Sequence, residues 1–261
     1  MTDDPQRARR MLYGRRKGPK LSAHQQHLLD HLLPQLELHL NPGVDPRTYF
    51  SGSVKDVWLE VGFGGGEHLI WQTQHHPKIG LIGAEPYVNG VVKLLSQIEA
   101  LSSGIGGGGL GEVTSTSAED WTTPSPQPSP RHAWGRERIR VYPSDARDIL
   151  EALPDASLGR VFILFPDPWP KTRHHRRRFI QINMLGELAR VMKPGAELRF
   201  ASDDAGYVEW TLECLMAHPA FEWTVTRACD WQTRPADWAP TRYEVKQLHG
   251  RPAFLWFSRR A

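Results

Sequence analysis

Apolar residues along this chain recur in two rhythms. Short, mainly apolar runs at 57–61 (VWLEV), 79–85 (IGLIGAE), 139–142, 161–165 (VFILF) and 197–201 predict five strands. Between them, residues 67–75, 88–101, 146–153, 179–192 and 207–217 carry apolar side chains at helical spacing. The fourth of these helices is expected to stop at Pro194-Gly195. Regular strand–helix alternation predicts an α/β architecture, a mostly parallel sheet with helices on both faces. Residues 223–226 and 253–257 add two more strands with no long helix between them, for seven in all, and are expected to pair antiparallel at one edge. Ahead of the first strand, leucines at helical spacing run from 21 to 40, with Ser22 as a helix N-cap and Pro34 as a kink or break.

Two segments depart from this rhythm. Residues 1–20 lack apolar periodicity and read as a flexible basic arm. Residues 102–135 are dominated by Gly, Ser, Thr and Pro, including GGGG and PSPQPSP. Such a stretch cannot bury enough apolar surface to order itself, so it reads as an insertion within a single domain spanning 21–261. Loop-closure cost grows only with the logarithm of length, so the fold tolerates it.

Charge sharpens the picture. The net charge of the 261 residues is +3, but residues 1–20 and residues 171–178 each carry +5, leaving the remainder at −7. Two compact basic segments on an acidic body suggest an anionic partner. No apolar run is long enough to span a membrane, and the N-terminus lacks the apolar core of a secretory signal. Cys214 and Cys229 are too few for a disulfide framework or a thiolate zinc site and read as buried small hydrophobes. A cytoplasmic protein without a metal, a membrane anchor or an obligate protein partner is the expectation.

The first chemistry-bearing segment is Glu60-Val61-Gly62-Phe63-Gly64-Gly65-Gly66. Glycines between a strand and a helix let a ligand approach the backbone closely, with Gly62 and Gly64 as its floor. Glu85 ends the next strand, where a carboxylate accepts hydrogen bonds from ribose hydroxyls. Nicotinamide dinucleotides and S-adenosylmethionine both use such a turn. The Glu60 carboxylate beside the glycines would repel a diphosphate and suits a cationic ligand, which favours S-adenosylmethionine. Asp145, after the third strand, adds another carboxylate and is also a natural helix N-cap.

The second segment, residues 165–178 (FPDPWPKTRHHRRR), begins where the fourth strand ends. Three prolines stiffen the chain around Asp167 and Trp169. An acid, an aromatic ring and a basic run fit a nucleobase beside phosphate. Asp167 would accept hydrogen bonds from a base edge, and Lys171 and the arginines would hold phosphates. Asp203, after the fifth strand, reads either as a site residue or as a helix N-cap. A small-molecule or protein methyltransferase would leave the 171–178 cluster unexplained. A non-catalytic RNA-binding protein would not need Glu60, Glu85 and Asp145.

Four motifs together resemble the bacterial tRNA (guanine-N7)-methyltransferase family: ExGFGxG at 60–66, FPDPWxKxRHxxRR at 165–178, the Ser202-Asp203 pair, and T-[KR]-[FY]-E at 241–244. The resemblance covers the chain from about Tyr13 onward. It implies a Rossmann-like class I methyltransferase fold that moves a methyl group from S-adenosylmethionine to N7 of a guanine at position 46, in the variable loop of tRNA. By motif match, Glu60, Gly62, Gly64, Glu85, Asp145 and Asp167 would line the cofactor site, with Asp167 also the catalytic residue. Lys171, Asp203, Thr241, Arg242, Tyr243 and Glu244 would contact the substrate guanosine. Arg173, His174, His175, Arg176, Arg177 and Arg178 would contact RNA. Pro170 stands where the family more often has His, and Arg242 and Tyr243 where it more often has Lys and Phe. The 102–135 insertion is not part of the usual family core.

Overall fold

A computed structural model describes residues 13–14, 16–103, 135–246 and 248–261. Most of the expected arm and insertion therefore lies outside the described residues. Among the described residues, seven strands form one sheet: β1 (Asp56–Val61), β2 (Ile79–Ala84), β3 (Ile139–Tyr142), β4 (Leu158–Leu164), β5 (Met192–Ser202), β6 (Phe221–Trp223) and β7 (Ala253–Arg259). Their spatial order is β3-β2-β1-β4-β5-β7-β6. β1 to β5 are parallel, and β7 runs antiparallel to both β5 and β6. The last two strands do pair antiparallel at one edge, with the reversed strand one place inside it. The central position of β1, between β2 and β4, explains why its interior residues are all buried.

Side chains alternate across the pleat, so the strands feed two cores. On one face Val57, Leu59, Ile163 and Phe200 pack against α5 (Ala146–Ala152), α6 (Ile182–Val191) and α7 (Ala205–Ala217). On the other, Trp58, Leu81 and Phe162 pack against α1 (Ala23–His31), α2 (Leu33–Leu36), α3 (Glu67–His75) and α4 (Val88–Ser102). Ser22 caps α1 in a reciprocal box with Gln25, and Pro34 sits in the first turn of α2, where its missing N–H costs nothing. Two short helices, α8 (Ala228–Gln232) and α9 (Arg242–Lys246), lie between β6 and β7. No helix among the described residues is long and apolar enough to cross a membrane.

Three local expectations change. The helix expected over 179–192 ends at Val191, and β5 begins at Met192, ahead of Pro194-Gly195. The pairing with β4 jumps from Leu158↔Met192 to Arg160↔Glu197, so this dipeptide, with Gly195 at φ +79°, forms a bulge inside a strand rather than a helix stop. The cap of α7 is Asp204, whose Oδ1 accepts from the Tyr207 amide at 2.7 Å. Cys214 is half-buried, and Cys229 is exposed instead of buried.

Tyr207, fully buried on α7, accepts from the backbone amides of Phe179 (3.0 Å) and Ile180 (3.3 Å). Burial raises its phenol well above the ordinary range, so it stays neutral. Tyr207→Phe strands two buried N–H groups. Urea unfolding is expected to show a loss of about 1–3 kcal/mol.

Candidate active site and nucleic-acid interface

The C-terminal ends of β1, β2 and β4 open into a cavity of about 890 Å³. Its floor is the turn after β1. Gly62, Gly64 and Gly66 have φ of +72°, +58° and +84°, backbone that favours glycine. No described residue lies within 4 Å of where a Gly62 side chain would start, so the backbone itself faces the cavity. Glu85, following β2, holds this turn in place. Its Oε2 accepts from the Gly64 amide at 2.7 Å and its Oε1 from the Tyr87 amide at 2.9 Å. Burial raises its carboxyl above the usual range, the two amides oppose that, and the charges of Asp167 and Glu60 add to it. A Cβ at Gly90 would overlap the Gly64 carbonyl, so only glycine lets α4 approach the turn this closely.

The opposite wall is the proline-rich turn after β4. Phe165 and Trp169 have φ of +50° and +46°, a conformation rare for bulky residues and one that stores about 1–3 kcal/mol each. Asp167 lies between them and lines the cavity. Its water-accessible carboxyl is raised above the ordinary range by desolvation within the cavity walls. The strained turn is held by Arg178, only 4% exposed. Its Nε donates to the Pro168 carbonyl at 2.9 Å and its Nη1 to that of Gly206 at 3.1 Å. Its guanidinium also covers the rings of Tyr207 and Trp210 at 4.8 and 5.4 Å. Arg177 lies between Tyr13 (4.8 Å) and Trp169 (4.9 Å), and His174 meets Trp169 edge-on at 6.0 Å. Desolvation and the surrounding cations lower the His174 pKa, which favours its neutral form. Lys171, Arg173 and Arg176 are exposed, and Arg176 reaches the cavity rim.

Two further segments complete the walls. Tyr13, Gly14 and Arg16 line the cavity, and the Arg16 carbonyl accepts from Val88, a free amide at the start of α4. Gly18 N donates to Asn89 Oδ1 at 2.8 Å and Asn89 Nδ2 to the Pro19 carbonyl at 3.0 Å. Residues 16–19 of the arm are thus held on α4. From the C-terminal side, α9 brings Arg242 and Tyr243 to the cavity, with the Tyr243 ring 3.1 Å from where a Gly64 Cβ would stand.

The comparisons with known proteins agree on the family. A family model described as "Putative methyltransferase" matches residues 54–253. A tRNA (guanine-N(7)-)-methyltransferase of Rhodospirillum rubrum is 47% identical over 255 residues, covering 95% of this chain and 87% of that protein. One of Jannaschia sp. is 41% identical over 272 residues and covers 100% of both. This chain belongs to the tRNA (guanine-N(7)-)-methyltransferase family. The crystal structure of the 16S rRNA methyltransferase KamB shares the fold, with TM-score 0.51 and 15% identity over 84% of this chain and 99% of that one.

Within that family fold, the structure sorts the expected site residues into separate groups. Gly62, Gly64, Glu85, Asp145, Asp167, Arg242 and Tyr243 line one cavity. Asp145 also caps α5 through the Arg147 amide (3.0 Å) and is paired with the Arg147 guanidinium. Glu60 is not on the cavity wall. Its carboxylate, 2% exposed, lies under the turn and accepts from His68 Nδ1 at 2.9 Å. Asp203 accepts from the His249 amide at 3.0 Å, Thr241 caps α9 through the Glu244 amide at 3.2 Å, and Glu244 faces Arg234 at 3.4 Å. Those three, with Lys171, lie outside the lining. Arg178, expected on RNA, is instead a buried structural cation. His175 packs edge-on against Trp210 at 5.4 Å. Sequence reasoning missed Tyr13 and Arg16 as wall residues, because nothing in a basic arm marks where it docks.

The division within the basic block is testable. Arg178→Ala removes the donor to two part-buried carbonyls and the cover over Tyr207 and Trp210, and is expected to cost about 2–3 kcal/mol in urea unfolding, whereas Arg176→Ala should stay within about 0.5 kcal/mol of the parent.

Proposed function

We propose that this chain transfers the methyl group of S-adenosylmethionine to N7 of a guanine in tRNA, at position 46 in the variable loop, forming 7-methylguanosine. The observation that carries this reading is one cavity with two differently made walls. The glycine turn and Glu85 form one, and Asp167 with an exposed cationic rim forms the other. The first wall fits the cofactor. Open backbone at Gly62 admits a flat ligand, and Glu85 and Asp145, with Asp167 facing them from the opposite wall, give the cavity acidic groups that suit a sulfonium and an amino group. Arg173, Arg176 and Lys171 fit the phosphates of an RNA substrate. A soluble bacterial tRNA-modifying enzyme acts in the cytoplasm, and that is the expected location here.

The residues required of such a site are few. When bound, S-adenosylmethionine supplies an already activated methyl group. Guanine N7 carries a lone pair and no proton, so no general base is needed. Asp167 accepts hydrogen bonds from the guanine edge and aims N7 at the methyl carbon. Transfer of the methyl group from sulfur to N7 would move positive charge from the sulfonium to the purine. The Asp167 carboxylate favours the purine cation, so alignment and electrostatics carry the rate. Trp169 and Tyr13 offer aromatic surface at the same end.

Asp167→Asn is expected to lower turnover by about 10²–10³-fold in a labelled-methyl assay on tRNA, while tRNA affinity is kept. Its melting temperature should stay level or rise. A carboxyl whose pKa is raised by the fold favours folding below the unfolded-state pKa and loses that contribution as pH rises through the folded one. The same sign predicts that parent activity declines on acidification from a pH above the ordinary aspartate range. Equal loss of binding and turnover in the variant would refute the aiming role.

The rim has its own test. Replacing Arg173 and Arg176 together by Ala should weaken tRNA binding and reduce the slope of log affinity against log salt by about 1.5–2. An unchanged slope would remove these residues from the phosphate interface.

A further inference from the structure

The loop between β6 and β7 carries Arg242 and Tyr243 to the cavity, yet no residue of α9 is fully buried, and Glu244 is held there by Arg234. A deeper anchor lies earlier in the same loop. Asp237 and Trp238 enter the α3 side of the sheet as a plug. Both carboxylate oxygens of Asp237 accept from Arg199 Nη1 at 2.7 Å, and Arg160 Nη1 stands 3.4 Å away. Arg199 is 4% exposed, so it needs an anionic partner. Glu197 supplies part of that charge, reaching Arg160 and Arg199 at 2.8 Å each. Trp238, also 4% exposed, meets His68, Phe162 and Phe254 with ring centroids 5.5, 6.5 and 5.5 Å apart.

The same plug touches the glycine turn from below. The Asp237 carbonyl accepts from Gln72 Nε2 at 2.9 Å. That amide also donates to His68 Nε2 at 3.0 Å, and His68 Nδ1 donates to Glu60, the strand residue that opens the turn. One chain of hydrogen bonds therefore runs from the base of the turn to the base of the loop that closes over it. Six residues beyond Asp237, the Tyr243 ring rests on Gly64.

We propose that Asp237 and Trp238 are positioning residues. They lock the β6–β7 loop into the sheet so that Tyr243 closes against Gly64, and their effect on the cofactor wall passes through Tyr243. The proposal rests on the reading of that wall as the S-adenosylmethionine site. It also makes a claim about the free protein that is independent of any ligand.

The test uses the full chain with Asp237→Asn, Tyr243→Ala and the double variant. Hydrogen exchange on the free protein should show faster exchange over residues 241–246 in Asp237→Asn, with β1 and β4 unchanged. Calorimetry should show S-adenosylmethionine binding weakened about ten-fold in each single variant, and no further in the double variant than in Tyr243→Ala alone. Unchanged exchange over 241–246 would overturn the positioning role. So would single effects that multiply in the double variant, or unchanged affinity with only a lowered melting temperature. If Asp237→Asn also loses protection in β1, Trp238→Leu, which removes the ring contacts of the plug but leaves the site apolar, takes its place with the same expected and overturning results. A parent protein that fails to bind S-adenosylmethionine would sink the cofactor reading, while the exchange result would still decide the positioning claim.

Discussion

The site is organised around one buried cation. Arg178 takes the carbonyls of Pro168 and Gly206 and lies over Tyr207 and Trp210. Through these contacts it ties the strained turn after β4 to α7. Two bulky residues with positive φ persist only where their surroundings over-determine them. Arg178 provides that determination in a place where desolvating a guanidinium is otherwise costly. Tyr207 reinforces it by accepting from the next two amides, Phe179 and Ile180. Asp167 is therefore presented from a turn that is tied to α7 by hydrogen bonds and ring contacts.

Three carboxylates near the glycine turn show how surroundings divide one chemistry into separate roles. Glu60 is sealed below the turn and matched to His68. Glu85 spends both oxygens on backbone amides, so it shapes the turn while still facing the cavity. Among the described residues no cation is fixed to Asp167, and desolvation within the cavity raises its pKa. A carboxylate with no such cation retains its acceptor capacity for a ligand. That distinction depends on partners brought from distant positions: Glu60 and His68 are eight residues apart, Gly64 and Glu85 twenty-one.

The arginines divide in the same way. Arg173 and Arg176 face water, Arg177 lies between two aromatic rings, and Arg178 is part of the core. Four similar side chains within six residues end in three environments, because a 3-10 turn over Thr172–Arg177 rotates each successive side chain by about a third of a revolution. Only the copy that meets the α7 aromatics is buried. A charge count over 171–178 cannot separate them.

The sequence by itself determined the alternation of strands and helices, the two-faced sheet, the antiparallel pairing of the last two strands and the family. Each of these depends on local periodicity or on motifs contiguous in the chain, which are written residue by residue. Gly62, Gly64, Glu85 and Asp167 were legible for the same reason, since they stand at strand ends where an open α/β sheet exposes its residues. Only the tertiary structure decided that Pro194-Gly195 is a bulge, that Glu60 and Arg178 are internal, that the arm lines the cavity through Tyr13 and Arg16, and that Asp237 and Trp238 anchor the loop bearing Tyr243. Those outcomes depend on which distant group fills a space or satisfies a charge. Burial and pairing belong to the assembled three-dimensional packing, and no stretch of sequence carries them alone.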